Sequence, residues 1–180
     1  MGELFNGTWR IDTGRSTVWD DETRQHVPDL VGEEIITLHT ANRVQDYEVL
    51  YGDRPRIRMG YTSRFDDETW VPYLVRGIDF VDDESAVDDF KSRINAARGE
   101  RERHFVVGQP YGLVRTIYVD EHTHYRVSKD PDTGRAQSMM LRSLSADGGS
   151  YVSTVLDTNG VCFRVRTFVR VPEGEGRVQS

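Results

Sequence analysis

Short segments in which apolar and polar residues alternate dominate this chain, and turn residues separate them. Alternation with a period of two puts successive side chains on opposite faces of a strand, so the pattern is typical of half-buried antiparallel strands. We predict strands near residues 5–11, 34–40, 45–51, 57–63, 71–77, 103–107, 112–119, 123–129, 137–144, 151–157 and 162–170. A chain of so many short strands predicts an all-β barrel or sandwich.

The connecting segments favour a meander, because many of them are short and rich in Gly, Pro, Asn and Asp, as in DTNG at 157–160. Tight turns of this kind join antiparallel neighbours. One segment differs: Val87, Phe90 and Ile94 recur at helical spacing and predict one short helix. Residues 12–33 have no clear period and predict a long loop over an edge or a barrel mouth. The expected fold is an antiparallel meander β-barrel with one short helix.

The length of the chain indicates one domain. With 180 residues, 37% of them hydrophobic, it can bury one core and is marginal for two. We predict a single barrel domain over residues 1–172. The polar, Gly-containing segment 173–180 is predicted to be a disordered tail.

Charge and composition limit the partners. A net charge of -7 argues against a nucleic-acid partner, because phosphate binding needs a basic surface. The longest apolar runs span a handful of residues, far below the roughly 20 that a helix needs to cross a bilayer, so no membrane partner is expected. The single Cys162 is typical of a reducing compartment, and the amino terminus has no leader pattern, so we predict a cytoplasmic location.

The inward face of one hairpin can be predicted from the chemistry of its side chains. A one-residue change of register inverts every side chain of a strand. Between strands 45–51 and 57–63, a five-residue loop at 52–56 pairs Tyr47 with Tyr61. This register leaves Asp46, Glu48, Arg58 and Thr62 on the outer face. The residues that it places on the inward face are Tyr47, Val49, Tyr51, Ile57, Met59 and Tyr61.

The orientation of strand 71–77 stays open between two alternatives. Either Tyr73 and Val75 point inward, which we favour, or Trp70 and Leu74 do so together with Arg76. The alternation alone is compatible with both.

Arginines in two later strands have different predicted orientations. In the last strand, Arg164, Arg166 and Arg170 alternate with apolar residues and are predicted to form a solvated outer face. Arg115 differs, because Leu113 and Ile117 flank it on its own face. We therefore predict that Arg115 is the inward-pointing charge.

Two stretches resemble a known family. FNGTWRIDTGRS, with Gly7, Thr8 and Trp9, resembles the opening of lipocalin-like, or calycin, barrels, in which a Gly-x-Trp on the first strand closes one end. The run from VRTIYVDEHTHYRVSKDPDTGR through LSADGGSYVSTVLDTNGVCFRVRTFVRV is similar to the closing meander of small bacterial lipocalin-like proteins. The resemblance implies a barrel around an apolar cavity, a fold that serves carriers, haem proteins and several cofactor-free enzymes.

The sequence contains few motifs that could bind a metal or a cofactor. DEHTH places Asp120, His122 and His124 at a spacing that can ligate a metal, but DEHT is also a turn sequence, so we expect the histidines in solvent and no metal. A haem site like that of nitrobindins is not expected, because no His follows His124. The chain has no Gly-x-Ser-x-Gly elbow, phosphate-binding loop or dinucleotide fingerprint, so no cofactor is expected.

The leading hypothesis is a cofactor-independent lyase or isomerase that acts on a small aromatic or phenolic molecule in the barrel cavity. Tyr61 would transfer a proton, His39 or His104 would be its partner base, and Arg115 would stabilise developing negative charge. The residues expected to contact the ligand are Tyr47, Tyr51, Met59, Tyr73, Trp70 and Tyr118.

Two other classes of function stay open. The first is non-catalytic binding of a lipid, a pigment or an aromatic metabolite in the same cavity. The second is a protein-interaction module whose exposed, arginine-bearing strands meet an acidic partner. A homodimer is compatible with each of these.

Overall fold

The alternating segments form strands in the structure, a computed structural model that describes residues 2–30, 32–52, 56–79 and 106–172. A single 3-10 turn, Glu3–Phe5, precedes the first strand. The strands are β1 (Gly7–Asp20), β2 (Gln25–Pro28), β3 (Glu34–Ala41), β4 (Val44–Tyr51), β5 (Arg56–Arg64), β6 (Val71–Asp79), β7 (Pro110–Asp120), β8 (Thr123–Lys129), β9 (Ala136–Leu144), β10 (Ser150–Leu156) and β11 (Cys162–Arg170).

The sheet is an antiparallel meander that closes on itself. From β3 to β11 each strand pairs with the next one along the chain, and β11 pairs in turn with β1, which also pairs with β3. The predicted all-β meander barrel is confirmed. Among the residues that the structure describes, no helix has the length and apolar composition needed to cross a membrane.

Three predicted elements fall wholly or largely outside the described residues. These are the short helix around Val87–Ile94, most of the strand near 103–107, and the disordered tail at 173–180. They stay predictions. Strands β6 and β7, which precede and follow this gap, are antiparallel neighbours and pair from Val71 with Val114 to Leu74 with Pro110.

The predicted loop over residues 12–33 is wrong for most of its length. Strand β1 continues to Asp20, and β2 pairs with the distal part of β1, from Thr17 with Pro28 to Asp20 with Gln25. The register of β1 against β11 shifts between Asp12 and Thr17. Such an irregularity breaks the period of two, so the extension of the strand has no clean alternation to detect.

One end of the barrel is filled by aromatic side chains, which we call the end cluster: Phe5, Trp9, Phe65, His124, Tyr151 and Phe168. Trp9 is fully buried, and its indole Nε1 donates a hydrogen bond to the carbonyl oxygen of Phe5 at 2.9 Å. The Tyr151 ring packs edge-on to Trp9, with centroids 4.9 Å apart. The guanidinium of Arg170 lies 4.1 Å from the centroid of the Trp9 indole. This end of the barrel is therefore closed by packing.

Candidate functional site

The hairpin β4–β5 has the predicted register, which turns its tyrosines into the barrel. Tyr47 pairs with Tyr61 and Tyr51 pairs with Ile57, so the pairing derived from the sequence is confirmed. Tyr47 and Tyr61 are each 1% exposed. In β6, Tyr73 and Val75 are buried, which selects the first of the two predicted orientations of that strand.

Five interior tyrosines, Tyr47, Tyr51, Tyr61, Tyr73 and Tyr111, form what we call the tyrosine cluster. Tyr47 and Tyr61 are stacked, with ring centroids 4.8 Å apart. Tyr73 meets both rings edge-on, at 6.1 Å from Tyr47 and 5.7 Å from Tyr61, and Tyr111 lies 6.4 Å from Tyr73. The hydroxyl oxygens of Tyr51 and Tyr73 are 3.3 Å apart. The interior therefore contains several aromatic rings in contact, with two phenol hydroxyls close together.

Two arginines point into the barrel beside this cluster. Arg126 on β8 is 8% exposed, and its Cζ lies 5.4 Å from the ring centroid of Tyr47, 5.8 Å from Tyr61 and 5.3 Å from Tyr73. Arg142 on the neighbouring strand β9 is 1% exposed, with its Cζ 4.7 Å from the Tyr47 centroid. Both guanidinium groups therefore contact the same tyrosine ring, in the favourable geometry of a cation over an aromatic face.

Several donor atoms around Tyr47 are buried and make no hydrogen bond to the described part of the protein. They are Gln45 Nε2, Arg126 Nη1, Arg142 Nε, Arg142 Nη2 and the hydroxyl of Tyr151. Nor does any carboxylate in the described ranges form an ion pair with Arg126 or Arg142. Buried polar atoms in proteins are nearly always hydrogen-bonded, so a group of unpaired donors in one place marks a polar site.

A third interior arginine, Arg166 on β11, has two carboxylate partners. Its Nε donates to Asp29 Oδ2 at 2.7 Å, and its Nη1 donates to Glu34 Oε2. The Arg166 side chain is 7% exposed, and those of Asp29 and Glu34 are 8% and 5% exposed. This buried ion triad joins β11 to β3 and to the segment that follows β2. Its charges are paired, unlike those of Arg126 and Arg142.

His124 connects Arg142 to the end cluster. Arg142 Nη1 lies 3.1 Å from His124 Nε2, and the His124 ring lies 4.4 Å from that of Phe5. Burial, with the positive charges of Arg142 and Arg126, holds the pKa of His124 well below its usual value of 6.5. The ring is therefore neutral at physiological pH, with Nε2 as the acceptor and the proton on Nδ1.

The neutral state of His124 predicts an acid-dependent loss of stability. Its folded-state pKa is below the unfolded one, so the unfolded state takes up the proton first, and stability falls as the pH drops below 6.5. We expect His124→Phe to remove up to about 1.4 kcal/mol per pH unit of that dependence. Urea unfolding at about pH 7.5 and about pH 5.5 measures it.

A matched control for this prediction is His39→Phe, because His39 is exposed on β3. The control is expected to keep the pH dependence of the wild type. Equal pH dependence in the wild type and His124→Phe would contradict a buried neutral His124.

Three of the predicted site residues do not reach the interior. Arg115 lies on the outer face of β7, where its Nε donates to the carbonyl oxygen of Asp67 at 3.1 Å, while Val114 and Thr116 are buried. The predicted inward orientation of Arg115 is therefore wrong. Trp70 lies beside it, with the Arg115 Cζ 5.6 Å from the indole centroid. His39 is exposed and pairs across the strands with Asp46.

The other predicted site residues have mixed positions. Met59 is buried in the interior, as expected from the hairpin register. Tyr118 is half-buried at the end cluster, with its ring centroid 6.0 Å from that of Phe65. His104 lies outside the described residues.

The arginines of the last strand are oriented opposite to the prediction. Arg164 and Arg166 are buried, and Arg170 packs on Trp9, so none of them belongs to a solvated face. Alternation shows which residues share a face, but it does not say which face is inward when the interior itself is polar. The arginines of β11 therefore do not support the alternative of an interaction module whose exposed, arginine-bearing strands meet an acidic partner.

For the DEHTH segment, the predicted turn is confirmed, whereas the predicted exposure of His124 is wrong. Residues 121 and 122 form a turn, and the amide of His122 donates to Asp120 Oδ1 at 2.8 Å. His124 is buried, so the expectation that it lies in solvent is wrong. In the described ranges, no group of three or more His, Cys, Asp or Glu side chains has the arrangement to hold a metal ion.

The inward orientation of Arg126 and Arg142 is not among the predictions from the sequence, although a signal for it exists. Arg142, Ser153 and Arg166 occupy one row across β9, β10 and β11, because Ser153 pairs with both arginines. Once the hairpins are aligned, the polar residues of these strands therefore share a face. Because apolar residues alternate with these polar residues along each strand, the sequence pattern favours placing the polar face outside the barrel.

The interior thus combines aromatic rings, phenol hydroxyls and two guanidinium groups without carboxylate partners among the described residues. Rings of this kind bind apolar and aromatic groups by packing, and a few polar groups orient the ligand. No protein-family model and no curated protein matches the chain, so the chemistry of this interior is inferred from its own side chains.

Proposed function

We propose that the protein binds a small aromatic or phenolic molecule inside its barrel. The observation that supports this most directly is the tyrosine cluster, whose stacked and edge-on rings lie in the interior next to Arg126. Arg126 and Met140 pair across β8 and β9, so they lie at the same level of the barrel interior, and each is 8% exposed. The end cluster, by contrast, closes the barrel around Phe5 and Trp9, which are fully buried.

Binding is tested by removing one ring of the cluster. Tyr73→Leu is expected to weaken the binding of an aromatic ligand by about twofold to tenfold, because an aromatic contact contributes about 0.5–1.5 kcal/mol beyond its buried area. The measurement is calorimetric titration with ligands selected by the panel described below. Tyr125→Leu is the matched control, since Tyr125 lies on the outer face of β8 between buried His124 and Arg126. Equal losses in both variants would argue against the interior as the site.

A cofactor-independent lyase or isomerase reaction in the same interior is the second candidate function. Burial raises the pKa of both Tyr47 and Tyr73 above the usual value of 10.0, so their phenols stay protonated and can donate hydrogen bonds. With the guanidinium groups of Arg126 and Arg142 beside them, they would stabilise negative charge that develops on a substrate. Tyr61, whose hydroxyl donates to Gln45 Oε1 at 3.1 Å, stays the proposed proton-transfer residue.

A single experiment separates the two candidates. The protein is incubated with a panel of phenolic and other aromatic metabolites, without added metal or nucleotide, and each compound is followed by liquid chromatography with mass detection. A protein-dependent product that Tyr61→Phe abolishes would support the reaction. Compounds that are retained and returned unchanged would support binding alone. Neither turnover nor retention of any compound would contradict both.

Three further properties complete the proposal. The Gly-x-Trp of β1 and the closed meander support a lipocalin-like barrel, and the single, half-buried Cys162 supports a cytoplasmic location. A homodimer is the proposed alternative to a monomer. Cell fractionation tests the location, and size-exclusion chromatography with light scattering tests the oligomeric state.

A further inference from the structure

We propose that the molecule bound in the barrel carries a carboxylate, which Arg142 holds as a bidentate partner and Arg126 helps to neutralise. This inference rests on the proposed function, because it names the chemical class of the same ligand. It is supported by the free donor atoms of Arg142, by the way Arg142 is held, and by the charge balance of the interior.

Only part of the Arg142 guanidinium is hydrogen-bonded within the described residues. Nη1 is engaged with His124 Nε2 at 3.1 Å, while Nε and Nη2 are buried and make no hydrogen bond within the described residues. Nε and Nη2 form one edge of the guanidinium, with parallel N–H bonds at the spacing of two carboxylate oxygens. The free edge therefore has the geometry that a carboxylate fits.

Arg142 is held in position by His124 and by the ring of Tyr47. His124 is held between aromatic rings, 4.4 Å from Phe5 and 5.6 Å from Phe65, and as a neutral ring it accepts from Arg142. The Tyr47 ring lies 4.7 Å from the Arg142 Cζ. The guanidinium is thus oriented before any ligand binds, which reduces the entropy that binding costs.

The described residues around Tyr47 carry an excess of positive charge. Arginine stays protonated in proteins, so Arg126 and Arg142 bring two positive charges to the region around Tyr47. Neither has a carboxylate partner in the part of the chain that the structure describes, whereas Arg166 has two. Buried charges are costly unless they are paired, so an anion is the group that this region favours most.

Neighbouring groups add donors. Gln45 Nε2 and the Tyr151 hydroxyl are both buried without a hydrogen bond to the described residues. The Gln45 side-chain oxygen is already occupied by the Tyr61 hydroxyl. Donors therefore outnumber free acceptors here, which favours a ligand group that only accepts, as a carboxylate does.

The test compares each carboxylate with its neutral amide of nearly the same shape. The probes are 2-naphthoate against 2-naphthamide and benzoate against benzamide, titrated calorimetrically into the wild-type protein and Arg142→Met. We expect the wild type to bind the carboxylates at least about tenfold more tightly than the amides, since hydrogen bonds to charged groups contribute most. In Arg142→Met the preference is expected to disappear while the amides still bind.

The outcomes separate this inference from the proposed function. If carboxylate and amide bind equally well to the wild type, the aromatic site stands and the carboxylate inference is overturned. If neither member of either pair binds, the proposed site itself is overturned. A carboxylate preference that survives in Arg142→Met would also overturn the assignment of Arg142.

A second variant covers the case in which Arg142→Met does not fold. Arg142→Lys keeps the positive charge but lacks the two parallel N–H donors of the guanidinium edge. It is therefore expected to lose most of the preference for carboxylates. Full retention of the preference in Arg142→Lys would overturn the bidentate geometry. Arg64→Met, at an exposed position of β5, is the control and should behave as the wild type.

Discussion

Replacing Arg166 with Met is expected to lower the free energy of unfolding by about 3–5 kcal/mol, because it removes the guanidinium that pairs with two buried carboxylates. Asp29 and Glu34 both accept hydrogen bonds from Arg166, and all three side chains are less than one-tenth exposed. Urea unfolding at neutral pH, followed by far-ultraviolet circular dichroism, measures the change.

Two controls make this prediction specific. The triple variant Arg166→Met, Asp29→Asn, Glu34→Gln removes the charges together and is expected to recover most of the lost stability. Arg15→Met disrupts an ion pair with Asp12 in which the Arg15 side chain is 55% exposed, and it should leave stability nearly unchanged. A loss in Arg166→Met no larger than in Arg15→Met would show that the triad does not stabilise the barrel.

The second large effect is expected for Trp9→Ala, which should lower the free energy of unfolding by about 3–5 kcal/mol through loss of burial and creation of a cavity. Trp9 is fully buried, packs on Tyr151, and lies under the Arg170 guanidinium. Its removal also leaves the carbonyl oxygen of Phe5 without the indole donor. The same urea unfolding experiment measures the loss.

Trp19→Ala makes the same chemical change in a different environment. Trp19 is only half-buried near the end of β1, and its Nε1 donates to Asp21 Oδ1 in an exposed bond. We expect this variant to lose much less stability than Trp9→Ala. Equal losses would mean that the end cluster contributes no more to stability than the β1–β2 hairpin does.

The fold is largely predictable because the signals that specify it are local. Alternation over seven to nine residues identifies strands such as β4 and β5, and the short loop between them sets their register. In this hairpin the charged and polar residues lie on one face and the apolar and aromatic residues on the other, so the sequence also predicts which face is inward. The distal half of β1 is the exception, since its register shift hides the alternation.

The candidate site is only partly predictable from the sequence. Tyr47, Tyr61 and Tyr73 are correctly placed in the interior, because apolar ring surface favours burial. Arg126 and Arg142 are not foreseen, because a charged residue in a strand is ordinarily on the solvent side. The inward orientation predicted for Arg115 follows instead from its apolar neighbours Leu113 and Ile117, and it is wrong because β7 buries Val114 and Thr116.

What decides the orientation of the arginines is contact between residues far apart in the chain. Arg166 is buried because Asp29, 137 residues earlier, and Glu34, 132 residues earlier, supply its counter-charges. Arg142 is inward because its row on β9 faces Tyr47 from β4 across the barrel. Such partners meet only when β11 pairs with β1 and closes the ring, so the strands and turns follow from local sequence, whereas the polar interior follows from closure of the barrel.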